Sequence, residues 1–182
     1  MAESFAWRNK ANSMKIWGLT DRGTVREQNQ DTFHLWKEDN TAALLVCDGM
    51  GGARAGNVAS ALAAQAFTEA IQHSDAQPDQ RLTAALAQAN EQVYQRAHRD
   101  PDCRGMGTTL VAALVEGNLA HIINVGDSRA YYLSQDGIRQ ITIDHSLVQD
   151  LLQRGHITPE EARNHPNKNV ITRALGADNK LE

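Results

Sequence analysis

Three aspartates, Asp31, Asp48 and Asp127, fall where the sequence predicts strands to begin or end. Asp48 follows a continuous apolar run, residues 43–47, which is typical of a strand buried on both faces. The glycine-rich turn after it lets the backbone come close to a ligand. A carboxylate there, with a neighbouring backbone carbonyl, suits an oxygen-liking cation such as Mg²⁺ or Mn²⁺. The alternative is a tight strand-to-helix turn with a solvated aspartate.

A polar loop carries Arg26 five residues before Asp31. The guanidinium group of arginine is a planar fork that matches the oxygens of a phosphate group. An aspartate at position 31 could lie beside the Asp48 site. The alternative is a surface ion pair between Arg26 and Asp31, which would have no chemical role.

Several catalytic and binding motifs are excluded by spacing. A dinucleotide fingerprint starting at Gly49 would need glycine where Arg54 stands, and no Gly-Lys pair exists to form a P-loop. A cysteine-nucleophile phosphatase loop would need arginine at Ala53 or Thr109. Ser128 does not stand in the G-x-S-x-G turn of a hydrolase nucleophile, since Ala130 replaces its second glycine.

Composition limits the class of protein. The 182 residues suffice for one domain with a substantial core, and 41% hydrophobic with 22% charged residues is ordinary globular composition. The formal net charge of -4 makes nucleic acid an unexpected main partner. Since no apolar run approaches roughly 20 residues, no membrane association is expected. The two cysteines, Cys47 and Cys103, form no disulfide framework, which predicts a cytoplasmic protein with reduced thiols.

Hydrophobic periodicity predicts an α+β fold with a meander of antiparallel strands and two long helices inserted together. Residues 1–13 are expected to be a flexible leader, and residues 14–182 to form one domain. The predicted strands are 15–20, 32–36, 43–47, 107–115, 119–125, 130–133 and 138–143. The predicted helices are 57–72, 79–98, 146–153 and a further one starting at Thr158.

Eight motifs then occur in one order along residues 15–178. They are Thr20-Asp21-Arg22-Gly23, Val25-Arg26, Asn29-Gln30-Asp31, Val46-Cys47-Asp48-Gly49-Met50-Gly51-Gly52, Gly107-Thr108-Thr109, Asn124-Val125-Gly126-Asp127-Ser128-Arg129-Ala130, Asp144-His145-Ser146 and Ile171-Thr172-Arg173-Ala174-Leu175-Gly176. Together they resemble the metal-dependent protein phosphatases, the type 2C serine/threonine phosphatases, and especially their bacterial members.

The resemblance implies an α-β-β-α sandwich, in which two antiparallel sheets pack face to face between helix pairs. It also implies hydrolysis of phosphoserine and phosphothreonine in proteins by a water molecule activated by two, or with a weaker site three, Mn²⁺ or Mg²⁺ ions. Asp48 would bridge two metals, the Gly49 carbonyl would bind one, and Asp31 would hold water bound to metal. Asp127 would belong to the weaker third site, and Arg26 would bind the substrate phosphate.

The resemblance further implies partners and a mobile segment. The substrates would be phosphoproteins modified by a serine/threonine kinase, the enzyme would be a monomer, and residues of about 144–169 would form a flap near the cleft.

The sequence also departs from the family pattern. Gln30 stands where some members have a glutamate ligand, and Met50 stands where some have a histidine acid. The family's C-terminal Ser-Asp-Gly segment and final Asp-Asn pair are not found, since Asp178-Asn179 falls too early. We therefore expect a C-terminally incomplete sandwich. The alternative function is a non-catalytic phosphoprotein-binding or regulatory module with an incomplete metal site.

Overall fold

The computed structural model describes residues 3–6, of which it gives the backbone, and residues 14–52 and 55–181. Its strands are β1 (Glu3–Ala6), β2 (Asp31–Glu38), β3 (Thr41–Met50), β4 (Gly107–Thr108), β5 (Leu110–Glu116), β6 (Leu119–Val125), β7 (Tyr131–Ser134) and β8 (Gly137–Gln140). Its α-helices are α1 (Ala55–Gln72), α2 (Pro78–Arg99), α3 (Leu147–Gln153) and α4 (Pro159–Arg163). The predicted α+β class is confirmed.

The main sheet is antiparallel, with the strand order β1-β6-β5-β3-β2, and β4 pairs with the end of β3. Because side chains alternate across a strand, β3 has two different faces. Ala43, Leu45 and Cys47 are buried in the core beneath the helices. Leu44 and Val46 point to the opposite face, on which Asp48 also lies. Asp48, the candidate catalytic residue, thus follows the apolar side chains of Leu44 and Val46 along one face of β3.

Helices α1 and α2 form one layer on this sheet. Small residues line the buried side of α1, so that the helix can approach the sheet closely, and Phe67 and Ile71 fill the space between them. Leu82 and Val93 of α2 are fully buried in the same cluster. Each of these side chains contributes about 1.5–3 kcal/mol by burial. Polar bonds fix the alignment of β2 with α1, because Thr32 and His34 hydrogen-bond to helix hydroxyls.

The opposite face of the sheet remains partly open. Val46 is 45% exposed, and Trp17 and Leu19 are 77% and 93% exposed. In the described part of the chain, the second sheet consists of the β7–β8 hairpin. Within the described residues, this face of the main sheet is therefore only partly covered.

Two predictions at the N-terminal end need correction. Residues 15–20 form no strand; they run across the open face, where Gly18 packs so closely on the Phe33 ring that a Cβ would lie 2.2 Å from it. Within the segment predicted to be a flexible leader, residues 3–6 form β1, because they complete hydrogen bonds along the edge of β6. The rest of that leader, residues 1–2 and 7–13, lies outside the described residues. No described helix is long and apolar enough to cross a membrane.

Candidate metal and phosphate site

A cleft of about 700 Å³ opens at the end of β3. Four of the five site residues predicted from sequence line it: Arg26, Asp48, Gly49 and Asp127. Asn169 and Ile171 complete one wall, so the end of the predicted flap reaches the cleft.

The fifth predicted residue, Asp31, lies directly opposite Asp48 in the β2–β3 pair. Partial burial raises the pKa of the Asp48 carboxyl, and the charge of Asp31 and a hydrogen bond shared with it raise that pKa further. Asp127 acts in the same direction, while Arg26 lowers the pKa. Two carboxylates forced together in this way favour a bound cation, which would remove their mutual repulsion.

Strand alternation separates the reactive carboxylate from its neighbouring thiol. Cys47 is fully buried on the helix side of β3, and burial raises its pKa to about 12. A thiol that stays protonated is a poor nucleophile. The burial of Cys47 therefore agrees with its exclusion as a nucleophile.

Close backbone packing holds the Gly49 carbonyl at the base of the cleft. The Gly49 N–H donates to the Gln30 carbonyl at 3.0 Å. A Cβ on Gly49 would lie 1.9 Å from the carbonyl oxygen of Gly56, at the start of α1. Glycine is thus required by the contact between the strand end and the helix start.

Arg26 is held by the side chain of Gln30. Its Nη1 donates to Gln30 Oε1 at 2.9 Å, and Gln30 Nε2 donates to the Gly52 carbonyl at 2.6 Å. Among the described residues, Arg26 forms no ion pair with Asp31, so the alternative of a simple surface pair is wrong. Gln30 uses its amide to connect the arginine with the glycine-rich turn.

The loop that carries Asp127 is held from two sides. Gly126 N–H donates to His145 Nδ1 at 3.2 Å, and His145 N–H donates to the Gly126 carbonyl at 2.9 Å. Arg129 forms a bidentate pair with the buried carboxylate of Asp144, with Nε to Oδ1 at 2.8 Å. These bonds connect the Asp127 loop to the base of the flap.

The atoms available in the cleft are of the type that an oxygen-liking cation binds. Asp31, Asp48 and Asp127 offer carboxylate oxygens and Gly49 offers a carbonyl, which are the ligands that Mg²⁺ and Mn²⁺ prefer. No three His, Cys, Asp or Glu side chains of the described residues come close enough to form a complete cage. If a cation binds here, these residues would supply part of its coordination sphere, and water and phosphate oxygens would complete it.

Thr109 was not predicted as a site residue, although it lines the cleft. Its role depends on contacts with Asp48, 61 positions earlier, and with the loop after β6. The Gly107-Thr108-Thr109 motif was the available signal, but sequence spacing alone does not say which hydroxyl faces the cleft.

Comparison with known proteins identifies the family. Residues 22–157 match the family model described as protein phosphatase 2C. The serine/threonine phosphatase stp of Listeria welshimeri is 43% identical over 169 residues, which are 90% of this chain and 67% of that protein. The chain therefore spans about two thirds of that relative's length.

Solved structures agree with this match. The crystal structure of the serine/threonine phosphatase Stp1 from Staphylococcus aureus is similar with a TM-score of 0.83 and 36% identity, covering 100% of this chain and 68% of that one. The catalytic domain of the serine/threonine protein phosphatase PstP, in complex with two manganese ions, has a TM-score of 0.74 and 34% identity and covers 100% and 69%. With its motifs, its fold and its aspartate-lined cleft, the chain belongs to the protein phosphatase 2C family of enzymes.

Proposed function

We propose that this chain hydrolyses phosphoserine and phosphothreonine in proteins, with divalent cations held at the Asp48 end of the cleft. The observation that carries the proposal is the meeting of Asp48, Asp127 and Arg26 in one cleft of about 700 Å³. Carboxylates for a cation and a guanidinium for a phosphate are the two requirements of this reaction.

The cations are proposed to be Mn²⁺ or Mg²⁺. Asp48 would bind through its carboxylate and Gly49 through its carbonyl, with Asp31 beside them and Asp127 at a weaker, additional position. Oxygen-only donors support this choice, as do the two manganese ions in the related PstP catalytic domain. When bound, such ions lower the pKa of a water molecule and neutralise phosphate oxygens.

The chain's own residues would position the phosphate and the cations. Arg26 would bind two phosphate oxygens through its fork, and its bond to Gln30 keeps that fork on the rim of the cleft. Asp48 must be deprotonated to bind a cation, although its surroundings raise its pKa. Met50, which lines the cleft, has no proton to donate. Water would therefore supply the proton to the departing serine or threonine oxygen.

The partners are proposed to be phosphoproteins modified by a serine/threonine kinase, met by the enzyme as a monomer. An open, polar-rimmed cleft suits a phosphorylated side chain presented on a protein surface. We propose that residues of about 144–169 act as the flap beside it, because Asn169 lines the cleft and Leu147 N–H bonds the Val170 carbonyl at the flap's base.

The test is phosphate release from one peptide prepared with phosphothreonine, phosphoserine or phosphotyrosine. With Mn²⁺ we expect release from the first two, and loss of release on chelation. Asp48→Asn should lower the rate by at least roughly 10²-fold, whereas Asp136→Asn, in the exposed β7–β8 turn, should not change it. Phosphopeptide binding without turnover would contradict the proposal and favour a non-catalytic binding module.

A further inference from the structure

Thr109 contacts both of the segments that carry candidate metal-binding aspartates. The backbone N–H of Asp48 donates to Thr109 Oγ1 at 3.0 Å, and the N–H of Thr109 donates to the Asp48 carbonyl at 2.9 Å. On its other side, Thr109 Oγ1 lies 2.6 Å from Ser128 Oγ, next to Asp127. One side chain therefore connects the two acidic segments.

The sheet topology makes this connection important. Asp48 belongs to β3 and Asp127 follows β6, and β5 lies between these strands. In this sheet β3 and β6 are therefore not hydrogen-bonded to each other. The distance between the two carboxylates depends on β5, which lies between these strands. Thr109 lies immediately before β5, at the cleft end of the sheet, where it can fix that separation.

The methyl group of Thr109 adds a steric contact to the same loop. A Cβ placed on Gly126 would lie 2.5 Å from Thr109 Cγ2, so the loop backbone rests against the threonine methyl. Thr109 is 3% exposed, which restricts its rotamer. Its hydroxyl and its methyl therefore act on different atoms: the hydroxyl on Asp48 N–H and Ser128, the methyl on Gly126.

We propose that Thr109 is a positioning residue, whose hydroxyl holds Asp48 and the Asp127 loop at the separation required for the weaker cation site to bind alongside the main one. This inference rests on the proposed function of the cleft. In this proposal Thr109 acts through Asp48 and Ser128, to which its hydroxyl is hydrogen-bonded. Partners of this kind, which orient ligands without binding the metal, typically change metal affinity by 10–100-fold.

The variants separate the hydroxyl from the methyl. Thr109→Val keeps the shape and removes the hydroxyl, whereas Thr109→Ser keeps the hydroxyl and removes the methyl. Ser128→Ala removes the partner but leaves the bond between Thr109 and Asp48 N–H. Thermal denaturation of each variant first establishes that it is folded.

The measurement is Mn²⁺ binding by isothermal titration calorimetry, followed by Mn²⁺-dependent turnover of a phosphothreonine peptide. We expect Thr109→Val to weaken the lower-affinity Mn²⁺ site by at least about 10-fold and to lower kcat, with unchanged KM for the peptide. Thr109→Ser should restore the wild-type isotherm. Ser128→Ala should weaken only the lower-affinity site, and it decides the question if Thr109→Val does not fold.

Wild-type Mn²⁺ binding by Thr109→Val would overturn the inference. So would a loss in Thr109→Ser as large as that in Thr109→Val, because retaining the hydroxyl would then not preserve the site, or an unchanged isotherm in Ser128→Ala. Failure of the wild-type protein to bind Mn²⁺ would instead overturn the proposed function, so the two failures are distinguishable.

Discussion

Asp31 and Asp48 are direct partners across the antiparallel β2–β3 pair, with their side chains on the same face at the cleft end. Opposed carboxylates on neighbouring strands repel each other when both are ionised. The structure brings them together at the one end of the sheet face where a glycine-rich turn and a cleft follow. This arrangement costs stability when both carboxylates are ionised, and a bound cation would relieve that cost.

The first prediction concerns the stability of the metal-free protein. The folded-state pKa of Asp48 is raised above the value of 3.8 for a free aspartate. Hence the native state binds the Asp48 proton more tightly than the unfolded state does. The free energy of unfolding therefore falls as pH rises from the unfolded-state pKa of Asp48 through its higher folded-state pKa. Asp48→Asn should not show this pH-dependent loss of stability, because an asparagine side chain has no carboxyl group to ionise.

We therefore expect Asp48→Asn to be more stable than wild type at neutral pH in the presence of a chelator, although its catalytic rate should be at least roughly 10²-fold lower. Thermal denaturation between pH 3.5 and 7.5 checks this, at about 2–4 °C per kcal/mol for a protein of this size. Asp136→Asn, at an exposed turn, is the control and should follow the wild-type curve. A metal-free Asp48→Asn protein that is less stable than wild type at pH 7 would show that the repulsion is unimportant.

The second prediction concerns Gln30 and phosphate binding. In Gln30→Glu a carboxylate would neutralise the Arg26 guanidinium, and an oxygen would replace the donor to the Gly52 carbonyl. We expect KM for a phosphopeptide to rise about 5-fold or more, equivalent to the loss of one hydrogen bond of about 1 kcal/mol. Steady-state kinetics measures the effect.

Gln28→Glu provides a charge-matched control for that experiment. Gln28 lines the same cleft but bonds Asn57 instead of Arg26, so the added charge should raise KM less. Equal effects of the two substitutions would mean that general repulsion of phosphate, and not the Arg26–Gln30 bond, determines KM.

The third prediction concerns the contact between Gly49 and Gly56. Gly49→Ala forces a Cβ against the Gly56 carbonyl, and we expect it to destabilise the fold by about 1–3 kcal/mol, as overpacking does. Gly117→Ala is the control, because Gly117 has a φ of 59° and nothing within 4 Å of an added Cβ. Gly117→Ala therefore measures the cost of a strained backbone conformation without any steric clash.

Urea denaturation compares these two glycine variants. The Gly49→Ala protein should also lose Mn²⁺ affinity, since its carbonyl must move, whereas Gly117→Ala should retain it. If Gly49→Ala unfolded at the wild-type urea midpoint, the close approach of β3 to α1 would be disproved.

The fourth prediction concerns the unequal partners of the Arg129–Asp144 pair. The Asp144 side chain is 10% exposed and that of Arg129 is 46% exposed. Arg129→Ala leaves a buried carboxylate without its bidentate guanidinium partner, while the longer bond from Gln140 Nε2, at 3.3 Å, remains. Removing Asp144 leaves an arginine that water can solvate.

We therefore expect Arg129→Ala to destabilise the protein more than Asp144→Ala does, with a cost of about 1–3 kcal/mol for the unpaired buried group. Chemical denaturation of both variants and of the double variant measures the difference. An equal cost for the two single substitutions would mean that the burial of Asp144 does not determine the energetics of the pair.

Much of the site could be predicted because its chemistry is encoded locally. The apolar run 43–47 predicted the buried part of β3, although the strand continues through Asp48 to Met50. The two long helices followed from their periodicity. The roles of Gln30 and Thr109 could not be predicted in the same way. Both depend on contacts across distant chain segments, to Gly52 and to Ser128, which no local pattern encodes.

Residues 15–20 show a different limit of sequence reasoning. The segment was predicted to be a strand, because a strand and an extended segment lying on an apolar surface can have similar sequences. Contact between Gly18 and the Phe33 ring holds the segment over the sheet face without placing it in the ladder. Tertiary packing, rather than local preference, decides between the two.

The central claim is that Asp48 forms the cation site with Asp31 beside it, and Mn²⁺ binding to the purified protein tests it most directly. Electron paramagnetic resonance measures free Mn²⁺ during titration of wild type, Asp48→Asn and Asp136→Asn. The account predicts saturable binding by wild type and Asp136→Asn, and loss of the tightest site in Asp48→Asn. Tight binding that persists in Asp48→Asn would contradict the account.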